Sequence, residues 1–204
     1  MNIRPRINRW TASRRSLLFD GSLLSSVVQP HFVVAGQGVD EPIEGMPGIH
    51  QQSVDVLLST VKEDAEHGVR AVMLFGVVAA EAKDSEASEA HKPGSHLHRA
   101  VSEIKATFGD TLVVMTDVCL CTATDHGHCG LVHEGEIVND ASVEVLCKIA
   151  VSHAEAGADY VCASDMMDGR VSARRHDRCL SLHRHRSRAL RFGPRGRNRQ
   201  RRLC

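Results

Sequence analysis

Three helix-like stretches, each stopped by a glycine and followed at once by an uninterrupted apolar run, set the narrowest limit on what this chain can become. SVDVLLSTVKEDAEHG leads into AVMLFGV, HLHRAVSEIKATFG into TLVVMTDVCLC, and NDASVEVLCKIAVSHAEAG into ADYVCAS, with VVQPHFVVAG as a further strand ahead of the first helix. The helical parts repeat their apolar residues at helical spacing and end where glycine is free to adopt a left-handed conformation. Asn139 or Asp140 is the expected cap of the last helix, and Gly157 its stop. A strand that is apolar without alternation is buried on both faces, which places it in a parallel sheet sandwiched by its own crossover helices. The sequence therefore predicts an α/β fold, its unit length of roughly 35 to 45 residues generous for a doubly wound sheet and acceptable for a (β/α) barrel whose loops carry function. Eight such units need about 250 residues, and four are legible, so the first half of a barrel is expected.

Around that core the text changes character twice. Residues 1–26 mix Arg, Asn and Ser with Trp10 and the short patch Leu17-Leu18-Phe19, and read as an N-terminal arm or irregular entry. Residues 27–172 hold the partial barrel. Residues 173–204 read as a disordered basic tail: twelve arginines and a single acid, Asp177, follow Val171, with neither strand nor helix periodicity. Over the whole chain Lys plus Arg and Asp plus Glu tie at 25 each, so the net charge names no partner. The tail could neutralise phosphates, but Phe192 is its one aromatic for base stacking, and nucleic acid is not the expected partner. No apolar run reaches the roughly 20 residues of a membrane helix, and the N-terminus lacks the features of a signal peptide. A soluble cytoplasmic protein is expected. Seven cysteines, an odd number with three in one short motif, suit metal binding in a reducing compartment better than a disulfide framework.

That motif is MTDVCLCTATDHGHCG, residues 115–130. On a strand, positions two apart share a face, so Asp117, Cys119 and Cys121 are expected to point together at the carboxyl end of the third strand. Cys129 can return to them through a loop that Gly127 and Gly130 permit. Three thiolates favour zinc over magnesium or calcium. Left with an open fourth position they suit a catalytic ion; closed by Asp125, His126 or His128 they make a structural site. Spacing alone leaves both readings open.

The same residues resemble a known family. TDVCLCTATDHGHCG is similar to the metal-binding signature of the zinc-type porphobilinogen synthases, also called delta-aminolevulinic acid dehydratases. FVVAGQGVDEPIEGMPGIHQQSVDVLL and AEAGADYVCASDMMDGRV resemble further segments of that family, in the same order and spacing. The resemblance covers roughly residues 27–172. It implies a TIM-type barrel that condenses two 5-aminolevulinate molecules into porphobilinogen with loss of two waters, on the route to haem and other tetrapyrroles. It implies Cys119, Cys121 and Cys129 as ligands of Zn2+, Asp117 as an active-site carboxylate, Ser164 and Asp165 as substrate-site residues, and assembly into large homo-oligomers. The match departs from the family at Thr122-Ala123, where Pro-Tyr is usual, at Asp125, where Ser is usual, and at Ala163, where proline is usual.

The family's chemistry also implies two lysines on later strands, one forming a Schiff base with substrate. No lysine follows Lys148, and Lys62, Lys83, Lys92, Lys105 and Lys148 fall on helical or loop text that matches neither position. A truncated product without turnover is therefore expected, with a non-enzymatic zinc-binding remnant and a basic nucleic-acid-binding module as the alternatives. The abrupt arginine-rich tail is what a shifted reading frame produces in GC-rich coding sequence. Four strands of a parallel barrel also cannot close, so a fragment of this kind is expected to aggregate or borrow a partner. The remaining features have plainer readings. AGQGVD lacks the third glycine of a dinucleotide loop. Met166-Met167 is read as core packing, His67, His96, His98 and His153 as surface residues, and Cys147 and Cys162 as small buried hydrophobes.

Overall fold

A computed structural model describes residues 11–19 and 26–170. The basic tail and Trp10 lie outside the described residues. The chain runs α1 (Ala12–Phe19), β1 (Val28–Val33), β2 (Asp40–Pro42), β3 (His50–Gln52), α2 (Val54–Glu66), β4 (Ala71–Gly76), α3 (His96–Phe108), β5 (Val113–Val118), β6 (Val132–His133), β7 (Glu136–Ile137), α4 (Asn139–Ala156) and β8 (Tyr160–Ala163). The sheet order is β2-β3-β1-β4-β5-β8, and β1, β4, β5 and β8 are parallel neighbours in sequence order, as successive strands of a (β/α) barrel must be. All four apolar runs are strands, and the three glycine-stopped stretches between them are helices.

One face of β1, β4 and β5 feeds the helical layer. Val33, Val72, Leu74 and Val114 are buried against Leu57 and Val61 of α2 and Val101 and Ile104 of α3. A second cluster lies at the carboxyl end of β5, where Val118, Leu120 and Ala123 pack with Leu146, Ile149 and Ala150 of α4 and with Met167. This second cluster holds the loops that carry the cysteines. Two short strands were invisible to apolar patterning: β3 extends the sheet alongside the end of β1 (Phe32 opposite Gln51), and β2 runs antiparallel to it.

Several expectations need correcting. The cap of α4 is Val138, which makes no side-chain cap bond, and Asn139 is already helical; its amide instead bridges to the backbone of Asp168. Gly157 does stop the helix, at φ 114°. The entry segment contains a helix, α1, with Ser13 and Arg14 buried against the barrel. Of the methionine pair, Met167 is core and Met166 is 84% exposed.

His98 and His153, read as surface residues, are 7% and 3% exposed, because α3 and α4 pack together on the faces that carry them. Their rings meet edge to face at 5.9 Å. Burial, then the neighbouring His98, pushes His153 down to about 3 from 6.5, against an opposing backbone contact with Ala90; burial lowers His98 and His31 as well. These rings stay neutral in the fold, while in the unfolded chain they take up protons below about pH 6.5. Stability is therefore fully present above that pH and lost as pH falls toward 3, on the order of 1 kcal/mol per pH unit for His153. Urea midpoints of metal-free protein at pH 7.5 and 5 should show the loss, and His153→Leu should flatten it.

Candidate functional site

The strand β5 ends at Val118, so simple alternation does not place Cys121. A turn does. Ala123 and Thr124 donate their N–H groups to the Leu120 carbonyl, and the Thr124 hydroxyl, wholly buried, reaches the carbonyls of both Leu120 and His128. Val78 N–H to Thr122 O and Asp125 N–H to Asp84 O tie the turn to the preceding loop. The chain then comes back through Gly127, at φ 73°, to Cys129.

The result brings three predicted ligands together: the sulfurs of Cys119, Cys121 and Cys129 all lie within 4.8 Å of one another, with Cys119 and Cys121 at 3.2 Å. Thiolates sharing a tetrahedral zinc at about 2.3 Å stand about 3.8 Å apart, so the three fit such an ion with sub-ångström adjustment. Without a cation Cys121 and Cys129 resist ionising. Burial first, then the neighbouring Cys119 and Cys129 thiols, pushes Cys121 up to about 12; burial and the Cys119 thiol raise Cys129 as well. None of Asp125, His126 and His128 joins the group. His126 Nδ1 instead accepts the His128 N–H at 3.1 Å, and Asp125 is exposed.

Asp117 lies on the inward face of β5, near enough to raise the Cys129 and Cys162 thiols further. Cys162 is the residue that pattern reading passed over: it stands opposite Asp117 in the β5–β8 register, half-buried, its thiol raised by burial and then by that carboxylate. Aligning the ends of the two strands would have found it. Ser164 is exposed just past β8, its N–H on the Val118 carbonyl at 3.4 Å. Asp165 is 1% exposed; its carboxylate accepts the Met167 N–H at 3.0 Å and lies 3.7 Å from Arg170 Nε.

Gly130 is where this loop meets the next hairpin. A Cβ there would stand 2.7 Å from Ile137 Cγ2 and 3.2 Å from Met167. Gly130→Ala is expected to cost about 1–3 kcal/mol in denaturant unfolding, as overpacking does, and to shift Cys129 next to it. Pairing it with Ile137→Ala should recover most of the loss.

A parallel sheet with helical crossovers, its thiols and carboxylates gathered at the carboxyl ends of the strands, defines a partial TIM-type (β/α) barrel. The family model described as Delta-aminolevulinic acid dehydratase matches residues 2–187, and the chain belongs to that family. The match is wider at both ends than the 27–172 span that the motifs carry. The delta-aminolevulinic acid dehydratase of Methanothermobacter thermautotrophicus is 50% identical over 151 residues, 73% of this chain and 45% of that protein. That of Bacillus subtilis is 43% identical over 148 residues, 72% of this chain and 45% of its own length. Among solved structures, the Toxoplasma gondii ME49 enzyme, delta-aminolevulinic acid dehydratase (porphobilinogen synthase) in complex with the reaction product porphobilinogen, superposes with a TM-score of 0.74. It shares 41% identity over 89% of this chain and 52% of that one. The chain spans about half the length of the relatives it matches.

Proposed function

We propose that the chain carries the zinc-binding half of a porphobilinogen synthase site, and that the 204-residue polypeptide by itself does not turn over. The observation that supports the first part is the convergence of the Cys119, Cys121 and Cys129 sulfurs with no fourth ligand beside them among the described residues. That is the donor set of an open, catalytic zinc. A zinc ion bound there supplies Lewis-acid polarisation of a substrate carbonyl. The chain's own residues supply the surroundings. Asp117 presents a carboxylate beside the thiols, able to accept a hydrogen bond from the amino group of 5-aminolevulinate. Ser164 offers an exposed hydroxyl one strand away, and Asp165 holds the following loop by accepting the Met167 N–H.

The second part rests on the lysines. Lys62, Lys105 and Lys148 lie on α2, α3 and α4, and Lys83 and Lys92 follow short 3₁₀ turns, so none occupies a strand of the sheet. Lys105 is moreover engaged with Asp159 at 3.0 Å. Schiff-base chemistry needs a desolvated amine facing the substrate, which none of them provides. In the cytoplasm, where thiols stay reduced, the reading is a zinc protein of the tetrapyrrole pathway that acts in company with further copies or chains. No helix among the described residues is long and apolar enough to cross a membrane.

The test is zinc stoichiometry by mass spectrometry together with a colorimetric porphobilinogen assay on the expressed chain. One zinc per chain and no porphobilinogen is the expected outcome. Turnover, or covalent trapping of 5-aminolevulinate by borohydride, would overturn the second part; a chain metal-free in excess zinc would overturn the first. Salt-sensitive nucleic-acid binding without zinc would favour the basic module instead.

A further inference from the structure

Behind the cysteine turn lies a cavity of about 30 Å³, walled on one side by Glu89, His96 and His153 and on the other by Asp117, Cys119 and Ala123. On such a measure one water occupies about 10–15 Å³, so the space accommodates about two. Two of its lining residues carry ring nitrogens that are buried and have no protein partner, Nδ1 of His153 and Nε2 of His96. His153 is itself 3% exposed. A buried polar atom left unpaired costs about 1–3 kcal/mol, and native interiors answer that cost with a protein group or an ordered water. The nearest imidazole does not answer it. His98 Nδ1 accepts the Gly94 N–H at 3.1 Å, which leaves the proton on Nε2, and that atom is also buried and unpartnered. A void stays dry when its lining is apolar; this one is mixed, with two imidazoles, two carboxylates and a thiol set among Val78, Leu97, Ala123 and Ile149.

We infer that this cavity is a water-binding site, whose ordered waters satisfy His153 Nδ1 and His96 Nε2 and set a hydrated contact behind Asp117 and Cys119. The site lies where the ends of β4 and β5 meet α3, α4 and the turn that carries Glu89. It needs neither a bound metal nor turnover, so its test is separate from that of the proposed function.

The experiment is a crystal structure of the zinc-loaded full chain at a resolution that resolves water. Density in the cavity at about 2.7–3.2 Å from both His153 Nδ1 and His96 Nε2 is the expected result. An empty cavity, a direct His96–His153 hydrogen bond that closes it, or a peak with the anomalous signal of a transition metal would each overturn the inference. A second measurement does not depend on crystals. Ala123→Val, at a wall residue 1% exposed, should expel the water and lower the melting temperature by several degrees. In a background carrying both His153→Leu and His96→Leu, where neither ring needs the water, the same substitution should cost much less. Equal losses in the two backgrounds would also overturn it.

Discussion

Serine in place of Cys121 is expected to lower zinc affinity by at least about a hundredfold, measured by competition with a chromophoric chelator. Even outer groups that only orient a ligand change metal affinity by about 10–100-fold, and Cys121 is proposed as a direct ligand. Its sulfur stands 3.2 Å from that of Cys119, and burial together with the two neighbouring thiols pushes its own ionisation up to about 12. A cation shared by the three offsets that cost, and an alcohol cannot ionise to share it. Cys129→Ser should act in the same direction. Cys162→Ser is the control: it keeps a small side chain beside Asp117 but lies outside the group of three, so zinc binding should be unchanged. A loss of affinity in the Cys162 variant equal to that in Cys121→Ser would place the ion elsewhere.

What the sequence disclosed here follows the strength of each local signal. β4 and β5 announce themselves because AVMLFG and VVMTDV have few polar residues, and such strands fit only where both faces are covered. The helices α2 and α3 are equally legible, since Gly68 and Gly109 mark their ends with positive φ. β2 and β3 were not legible, because DEP and HQQ carry no apolar pattern; side-chain bonds reinforce the backbone pairing there, with Gln52 Nε2 reaching both Asp40 Oδ1 at 3.1 Å and Thr60 Oγ1 at 3.0 Å. The cysteines could be read as a group from spacing, yet the reason they converge was misplaced: strand alternation stops at Val118, and the turn anchored on Leu120 and Thr124 completes the group. The burial of His98 and His153 was hidden for a different reason. A histidine on a helix next to polar neighbours looks solvated until the partner helix is known, and the α3–α4 contact is a tertiary fact with no local signature.

The N-terminal helix offers the largest expected effect on stability. Asp159, at the foot of β8, accepts Arg14 Nη2 at 2.5 Å on one carboxylate oxygen and Lys105 Nζ at 3.0 Å on the other, which also takes the Val114 N–H at 2.9 Å. The Arg14 and Asp159 side chains are 8% and 9% exposed, and the guanidinium lies 5.1 Å over the Tyr160 ring. One carboxylate thus joins α1, α3, β5 and β8. Taking away one member of a buried ionic group is costly because the remaining charge is left without a partner, by about 3–5 kcal/mol. Asp159→Ala is therefore expected to lose about that much in urea unfolding, and to release α1, seen as new protease cleavage near Arg14 and Arg15. Asp159→Asn should lose less, since its amide oxygen can still accept from Val114. The decisive variant replaces the three together: Arg14→Met and Lys105→Met with Asp159→Leu removes all three charges, and a recovery of most of the stability would show that the single-variant loss comes from stranded charge rather than from lost packing. If the triple variant is as unstable as Asp159→Ala, the carboxylate's bond to the β5 backbone, not its cations, is what holds the foot of the sheet together.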